Sequence, residues 1–289
     1  MELIDIALTI GRLSAPLILV ALGGYLSEKS GVVNIALEGL ILFGAFFAAT
    51  FTTWYGNPWL GLIMGALVAS SVGFFYALLT VGLQSDQIVA GTAINMLAWG
   101  GIPFLGKVFF DSTSSTPALD LDMRIASWVP ILTGLMFVLL FYYLSRKTRI
   151  GLWHSFAGEK PEALSTVGVS VTLVRFAAVT CAGFVAGLGG AFLSISLASS
   201  YTRNMSAGRG FMALGALILG KWRPVPTLVA CLVFGASEML QLRLQGIALP
   251  MIGEIPSQIV QIFPYILTLI LLMGFVGESR APAALGKKI

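Results

Sequence analysis

Asn34 and Glu38 set an amide and a carboxylate four residues apart in the otherwise apolar stretch SGVVNIALEGL. Four residues make about one helical turn, so on a continuous helix the two side chains share a face. A carboxylate at the centre of a membrane helix costs about 2.5–3.5 kcal/mol on insertion scales, so it belongs on a wet path or against a partner. The plainer alternative places Glu38 near the membrane surface, snorkelling or paired with Lys29. A second polar stripe, Gln87, Gly91, Thr92 and Asn95, recurs at helical spacing in DQIVAGTAINML and suits solute contact and helix-to-helix hydrogen bonding equally. Glu238, Gln241 and Gln245 form a third stripe, which reads as ordinary surface near the outer end. Asn34, Glu38, Gly91, Thr92 and Asn95 are therefore the candidate solute-path residues.

The chemistry the sequence lacks narrows the function further. It holds no GxxxxGK[ST] loop for binding and hydrolysing ATP. His154 sits alone in a basic loop with no His or Cys beside it, which argues against a metal site and for an interfacial side chain. Cys181 and Cys231 lie in apolar segments without CxxC spacing and read as small packing residues. No nucleophile is paired with a base at membrane depth, which disfavours an intramembrane enzyme. The net charge of +4 comes from basic residues scattered among loops rather than gathered on one face, which excludes a nucleic-acid partner.

These residues sit in a chain that is 57% hydrophobic and 10% charged over 289 residues, too apolar for a soluble fold of that size. The expected architecture is all-α: a single polytopic transmembrane domain over 1–289. Hydropathy predicts spans near 4–26, 32–53, 58–82, 88–110, 127–145, 171–198, 224–242 and 258–277. The apolar stretch 211–220 is too short for a full crossing and reads as a half-helix or re-entrant piece within 208–221. Arg146, Lys147, Arg149 and Lys160 make the loop 146–170 cytoplasmic, and Arg280, Lys287 and Lys288 do the same for the tail. Both placements hold if the chain crosses nine times, with 208–221 as a short pass and Lys107, Arg124, Arg203 and Arg209 left on the outer side.

An internal repeat fits this count. Placing Gly31 over Gly208 aligns Ala36 with Ala213, Leu37 with Leu214 and Leu40-Ile41-Leu42 with Leu217-Ile218-Leu219. The first copy enters from inside and the second from outside, the sense of an inverted repeat. The run GFVAGLGGAF at 183–192 allows close helix packing. In the cytoplasmic loop, Pro161, Glu162 and Gly168 bracket a short surface helix near 159–167, of a kind that docks against another protein.

The stretch SEKSGVVNIALEG at 27–39 closely resembles a signature of permease subunits in bacterial ABC importers of the ribose, simple-sugar and branched-chain amino acid type. Its nearest likeness is the nucleoside and simple-sugar subgroup. GLWHSFAGEKPEALSTVGVSV, AGFVAGLGGAFLS and SAGRGFMALGALILGKWRP follow in the same order as in that family, so the likeness runs over about residues 12 to 276. The resemblance implies a multi-pass protein of the bacterial inner membrane, without a cofactor or ATPase site of its own. It also implies a second, related permease, a cytoplasmic ABC ATPase that binds the ATP, and an extracytoplasmic solute-binding protein or lipoprotein. The loop 155–168, with Gly158, Glu159, Pro161, Glu162, Ala163 and Gly168, would then be the element that touches the ATPase, although Trp153 and His154 depart from the family pattern. A secondary transporter coupled to an ion gradient is the alternative, and it would more naturally carry several buried acidic or histidine residues.

Overall fold

The computed structural model describes residues 2–244, 248–249, 253–254, Ile262, Ile266, Ile270 and 280–287. Its helices are α1 (Glu2–Lys29), α2 (Leu37–Tyr55), α3 (Pro58–Ala77), α4 (Gln87–Phe110), α5 (Val129–Lys147), α6 (Arg149–Glu159), α7 (Pro161–Thr166), α8 (Val171–Phe192), α9 (Arg209–Leu219) and α10 (Pro224–Leu244). Widened turns at Leu78–Gly82 and Leu193–Leu197 extend α3 and α8. Two strands of two residues, Ala248–Leu249 and Gly253–Glu254, pair antiparallel beyond α10. Among the described residues, seven helices are long and apolar enough to cross a membrane, and α9 is a shorter apolar helix.

Local chemistry sets the helix ends. Asn57 caps α3 by accepting from the Trp59 and Leu60 amides, with Pro58 in the first turn, where a missing N–H does no harm. Asp86 does the same for α4 through Ile88 and Val89. Ser170 caps α8 through Leu173.

The centre of the bundle is α2 and α8, with 78% and 72% of their apolar windows buried, whereas α4 and α5 bury only 33% and 22%. Lipid tails are as apolar as leucine, so helices in a membrane hold together by close packing. Small residues provide it here: a Cβ on Gly44 would lie 2.4 Å from the Gly187 carbonyl oxygen, so α2 and α8 touch backbone to backbone. The apolar outer faces of α4 and α5 are left for lipid or another subunit.

Charge distinguishes the two ends. At the outer end the 111–126 loop is stitched to the segment after α8, with Leu119 N bonded to Ser199 O, Thr116 N to Tyr201 O and Arg203 N to Ser114 O. At the other end, the inner one by the charge count, the tail returns to the 146–170 loop, with Ala284 N bonded to Gly158 O and Gly286 N to Gly31 O. Arg175, buried in this knot, donates to Ala157 O and Lys287 O. The tail and the 146–170 loop therefore share one end, as the charge count expects. The expected span 258–277 lies outside the described residues except for Ile262, Ile266 and Ile270, which are helical and exposed.

Two expectations about elements need correction. The 32–53 span is helical only from Leu37, and residues 30–36 form a turn and an extended stretch. The 146–170 loop contains α6 as well as the short helix expected near 159–167, which is α7.

Candidate functional site

The break between α1 and α2 follows from its sequence. Gly31 takes a φ of +102°, a conformation that costs glycine little, and Val32, Val33 and Ile35 are β-branched residues with little preference for helix. Backbone groups freed inside an apolar body need other partners. Ser27 Oγ donates to Val32 O, Gln87 Oε1 accepts from Val33 N at 2.8 Å, and Tyr76 Oη donates to Val33 O at 2.6 Å. Asn95 donates to Ile35 O at 2.9 Å and accepts from Gly39 N at 2.8 Å. Gly91 lets α4 approach, because a Cβ there would sit 3.1 Å from Ala36 N. Gln87, Gly91 and Asn95 thus form one face of α4, four residues apart, that holds the unwound segment.

Asn34 and Glu38 do not share a helix face, because Asn34 lies in the extended stretch and Glu38 in the first turn of α2. Nor does Glu38 pair with Lys29, whose ammonium bonds Glu159 at 2.9 Å. Thr92 is exposed, turned away from the Gln87–Gly91–Asn95 face, and donates to Ile88 O of its own helix. Asn34 is fully buried, and neither polar atom of its side chain has a hydrogen-bond partner among the described residues.

Glu38 meets the short helix α9 instead. One carboxylate oxygen accepts from Ser206 Oγ at 2.6 Å and Gly208 N at 2.8 Å, and the other accepts from Gly210 N at 2.7 Å. A negative charge on the unpaired N–H groups of a helix start is favoured both by those bonds and by the helix dipole. At the other end of α9, Trp222 Nε1 donates to Glu28 Oε2 at 2.7 Å. Two acids ten residues apart, flanking the unwound segment, therefore hold both ends of α9. Arg209, in its first turn, pairs with Glu238 of α10, which corrects the reading of Glu238 as ordinary surface.

The repeat has a structural counterpart. Gly31 and Gly208 both adopt positive φ, +102° and +81°. After them the copies differ: residues 32–34 leave the helical path and 35–36 turn into α2, whereas α9 begins at once. From their meeting at Glu38, α2 runs outward and α9 inward, which preserves the inverted sense.

The candidate coupling residues gather at the inner end. Gly158 lies against the end of α1, where a Cβ would come 2.2 Å from Lys29 O. Glu159 bonds Lys29 and accepts from Ala283 N. His154 is held against α1 through Nε2 and Leu26 O at 2.7 Å, with Tyr25 edge-on to its ring. Burial pushes its pKa below the usual value, the Leu26 carbonyl opposes this and Lys29 adds to it. The ring is therefore a docking contact of α6 rather than a free interfacial group. In α7 only Leu164 is buried; Glu162, Ala163 and Gly168 are exposed, Pro161 is half-buried and Gly168 turns the chain at φ +77°. Cys231 is buried as expected, but Cys181 is exposed, lining an apolar groove of about 670 Å³ between α5 and α8.

Sequence reasoning missed Glu28, Trp222, Tyr76 and Ser206. Glu28 carried the only usable signal, an acid beside a small-residue turn.

A half-helix held at both ends beside an unwound segment is the construction of a transport site. The family model for the permease component of branched-chain amino acid transport systems matches residues 6–272. The chain belongs to this permease family. The permease is 36% identical to the guanosine ABC transporter permease protein NupQ of Bacillus subtilis, over 94% of this chain and 92% of the relative. It is 34% identical to the nucleoside ABC transporter permease protein NupC of Lactococcus lactis, with the same coverage. A putative glucose ABC transporter permease of Haloferax volcanii, TsgC13, is 29% identical over 89% of this chain and 87% of the relative. The permease is thus a multi-pass membrane component of an ATP-binding-cassette importer, as the expected all-α bundle and the resemblance implied.

Proposed function

We propose that the permease imports a nucleoside by alternating access, together with a cytoplasmic ATPase, a related second permease and an extracytoplasmic solute-binding protein. The similarity to guanosine and nucleoside permeases over nearly the whole chain supports the solute class. The nucleoside ABC transporter permease protein NupB, from the same Lactococcus lactis strain as NupC, is 22% identical over 93% of this chain, which supports pairing with a related subunit. The permease contributes no nucleotide site and moves because its partner hydrolyses ATP.

One observation carries the mechanism: the knot at the inner end joins the exposed helix α7 to the segment that holds α9. Gly158, Glu159, Pro161, Glu162, Ala163 and Gly168 form or border the ATPase contact. A push on α7 passes through α6 to Lys29 and Gly31, next to Glu28, and so to both ends of α9. The solute path runs along the junction of α2, α4 and α9. Its polar groups are the Asn34 amide, buried in the junction with no partner among the described residues, and the Thr92 hydroxyl beside the junction on the exposed face of α4, while Glu38, Gly91 and Asn95 hold the backbone behind it. Rigid rocking of α9 against α4 opens the path to one side at a time.

The test is uptake of a radiolabelled nucleoside by the whole complex in proteoliposomes, with a cysteine at Ala163→Cys for crosslinking. ATP-dependent uptake and a crosslink to the ATPase are expected. Uptake that persists without the ATPase and follows a proton or sodium gradient would overturn this reading in favour of an ion-coupled transporter.

A further inference from the structure

The outer end of the junction holds a cavity of about 340 Å³ lined by Leu42, Trp99, Pro103, Tyr201, Arg203 and Asn204. That volume is within the range of small-molecule sites. Leu42 is one helical turn outward of Glu38, and Arg203 and Asn204 precede Ser206, which bonds that carboxylate. The cavity therefore opens directly above the start of α9. Trp99, 43% exposed, lies two helical turns beyond Thr92 on the exposed face of α4.

Basic residues are scarce on the outer side of membrane proteins, so those found there need an explanation. Lys107 pairs with Asp111, Arg209 pairs with Glu238, and Arg124 Nε donates to Leu119 O. Arg203 is exposed, its backbone N–H bonds Ser114 O, and its guanidinium forms no ion pair among the described residues. The exposed amide of Asn204 stands beside it, on a residue with φ of +58°. Tyr201 is buried and braced edge-on by Phe46 at 5.3 Å, which fixes the cavity wall. An exposed indole, a rigid wall and two side chains rich in hydrogen-bond donors thus share one small space.

Resting on the nucleoside reading above, we infer that this cavity is an outward-facing subsite for a purine base. The base stacks on Trp99, and Arg203 donates to adjacent acceptors on its edge, such as N7 and O6. Base–aromatic stacking and an arginine fork on two purine acceptors are the recurring means of gripping such a base. A free amino acid fits poorly, because the described residues that line the cavity include no carboxylate to balance its ammonium group. A sugar would use the donors but gain less from the broad face of the indole.

Transport by the whole complex in proteoliposomes tests this, with guanosine and 7-deazaguanosine as solutes, each corrected for its separately measured affinity for the binding protein. Wild type should carry guanosine at least about five-fold faster than the analogue, which lacks N7. Arg203→Ala should carry both at one rate. Trp99→Ala should slow both by about ten-fold at low concentration, and Trp99→Tyr should restore most of the loss. Basal ATPase activity reports assembly; if Trp99→Ala fails to assemble, Trp99→Tyr and Arg203→Met, which has no donor, carry the test through the N7 discrimination, kept in the first and lost in the second. Nucleoside transport with wild-type rate and discrimination in the Arg203 variants would overturn the subsite and leave the transport reading standing. A wild-type complex that carries no nucleoside would overturn both.

Discussion

The unwound segment 30–36 and the segment 198–208 hold corresponding places before α2 and α9, yet they are stabilised in opposite ways. The first is enclosed: Ser27, Tyr76, Gln87 and Asn95 bond its backbone, and Val32 and Asn34 are fully buried. The second is fastened at its ends, to the outer loop through Tyr201 and Arg203 and to Glu38 through Ser206 and Gly208, while Arg203 and Asn204 remain exposed between them. A segment whose backbone groups are bonded to its neighbours is held as scaffold, here around the one unpartnered side chain among the described residues of that segment, Asn34. One that keeps donors free beside a cavity has chemistry left for a ligand.

Removing the bond shared by the two segments should break the comparison most severely. Glu38→Ala leaves Ser206 Oγ and the Gly208 and Gly210 amides without their acceptor, and each unsatisfied buried group costs about 1–3 kcal/mol. The expected result is loss of folded permease from the membrane, with residual protein unfolding at markedly lower temperature in detergent. Glu38→Gln, which keeps one acceptor oxygen, should fall between. A Glu38→Ala protein as stable as wild type that has lost only uptake would instead give the carboxylate a direct role on the solute.

Next in size is the grip of α4 on the unwound segment. Asn95→Ala strands Gly39 N, which is buried, and Ile35 O, which is half-buried, at up to about 1–3 kcal/mol each. Thr92→Ala, on the exposed side of the same helix, should change stability by less than about 0.5 kcal/mol. Thermal unfolding of the two variants side by side separates scaffold from path, and equal losses would erase the distinction between the two faces of α4.

The Glu28–Trp222 bond should matter less, because only one donor is lost. Trp222→Phe keeps the buried ring but removes a hydrogen bond to a carboxylate, worth about 1.5–3 kcal/mol. Since this bond ties the inner end of α9 to the knot, ATP-driven uptake should drop more than ATPase activity does. Proportional loss of both would mean that α9 is not moved through this contact.

Much of this was legible in the sequence, and the failures have definite causes. Hydropathy located every long described helix because a membrane span must be apolar for its whole length. The short helix 209–219 stood out for the same reason, being apolar yet too short. The helix spacing of Gln87, Gly91 and Asn95 was also visible, though what it faced was not. The pairing of Asn34 with Glu38 failed because it assumed a continuous helix through Gly31 and three β-branched residues. Glu28 and Glu38 bond residues 194 and 168–172 positions away, and no local pattern encodes such a partner.

The smallest effect should come from Glu159 at the inner end. Its ion pair with Lys29 is partly solvated, with side-chain exposures of 44% and 20%, and such pairs contribute about 0–1 kcal/mol. Burial pulls the Glu159 carboxyl upward, but the Lys29 hydrogen bond and charge and the Ala283 amide outweigh it and hold the pKa below the usual carboxylate range. A depressed carboxyl contributes stability above its unfolded pKa and loses it as the pH falls through the folded one. The contribution is therefore complete at neutral pH, and Glu159→Gln should lower the unfolding temperature there only slightly. Against the loss of Glu38, which holds α9 inside the membrane, this variant isolates the transmission of movement. If the pair relays force from α7 to α1, Glu159→Gln should reduce uptake per ATP hydrolysed while leaving the folded protein nearly untouched. Unchanged coupling would assign the relay to His154 and Gly158 alone.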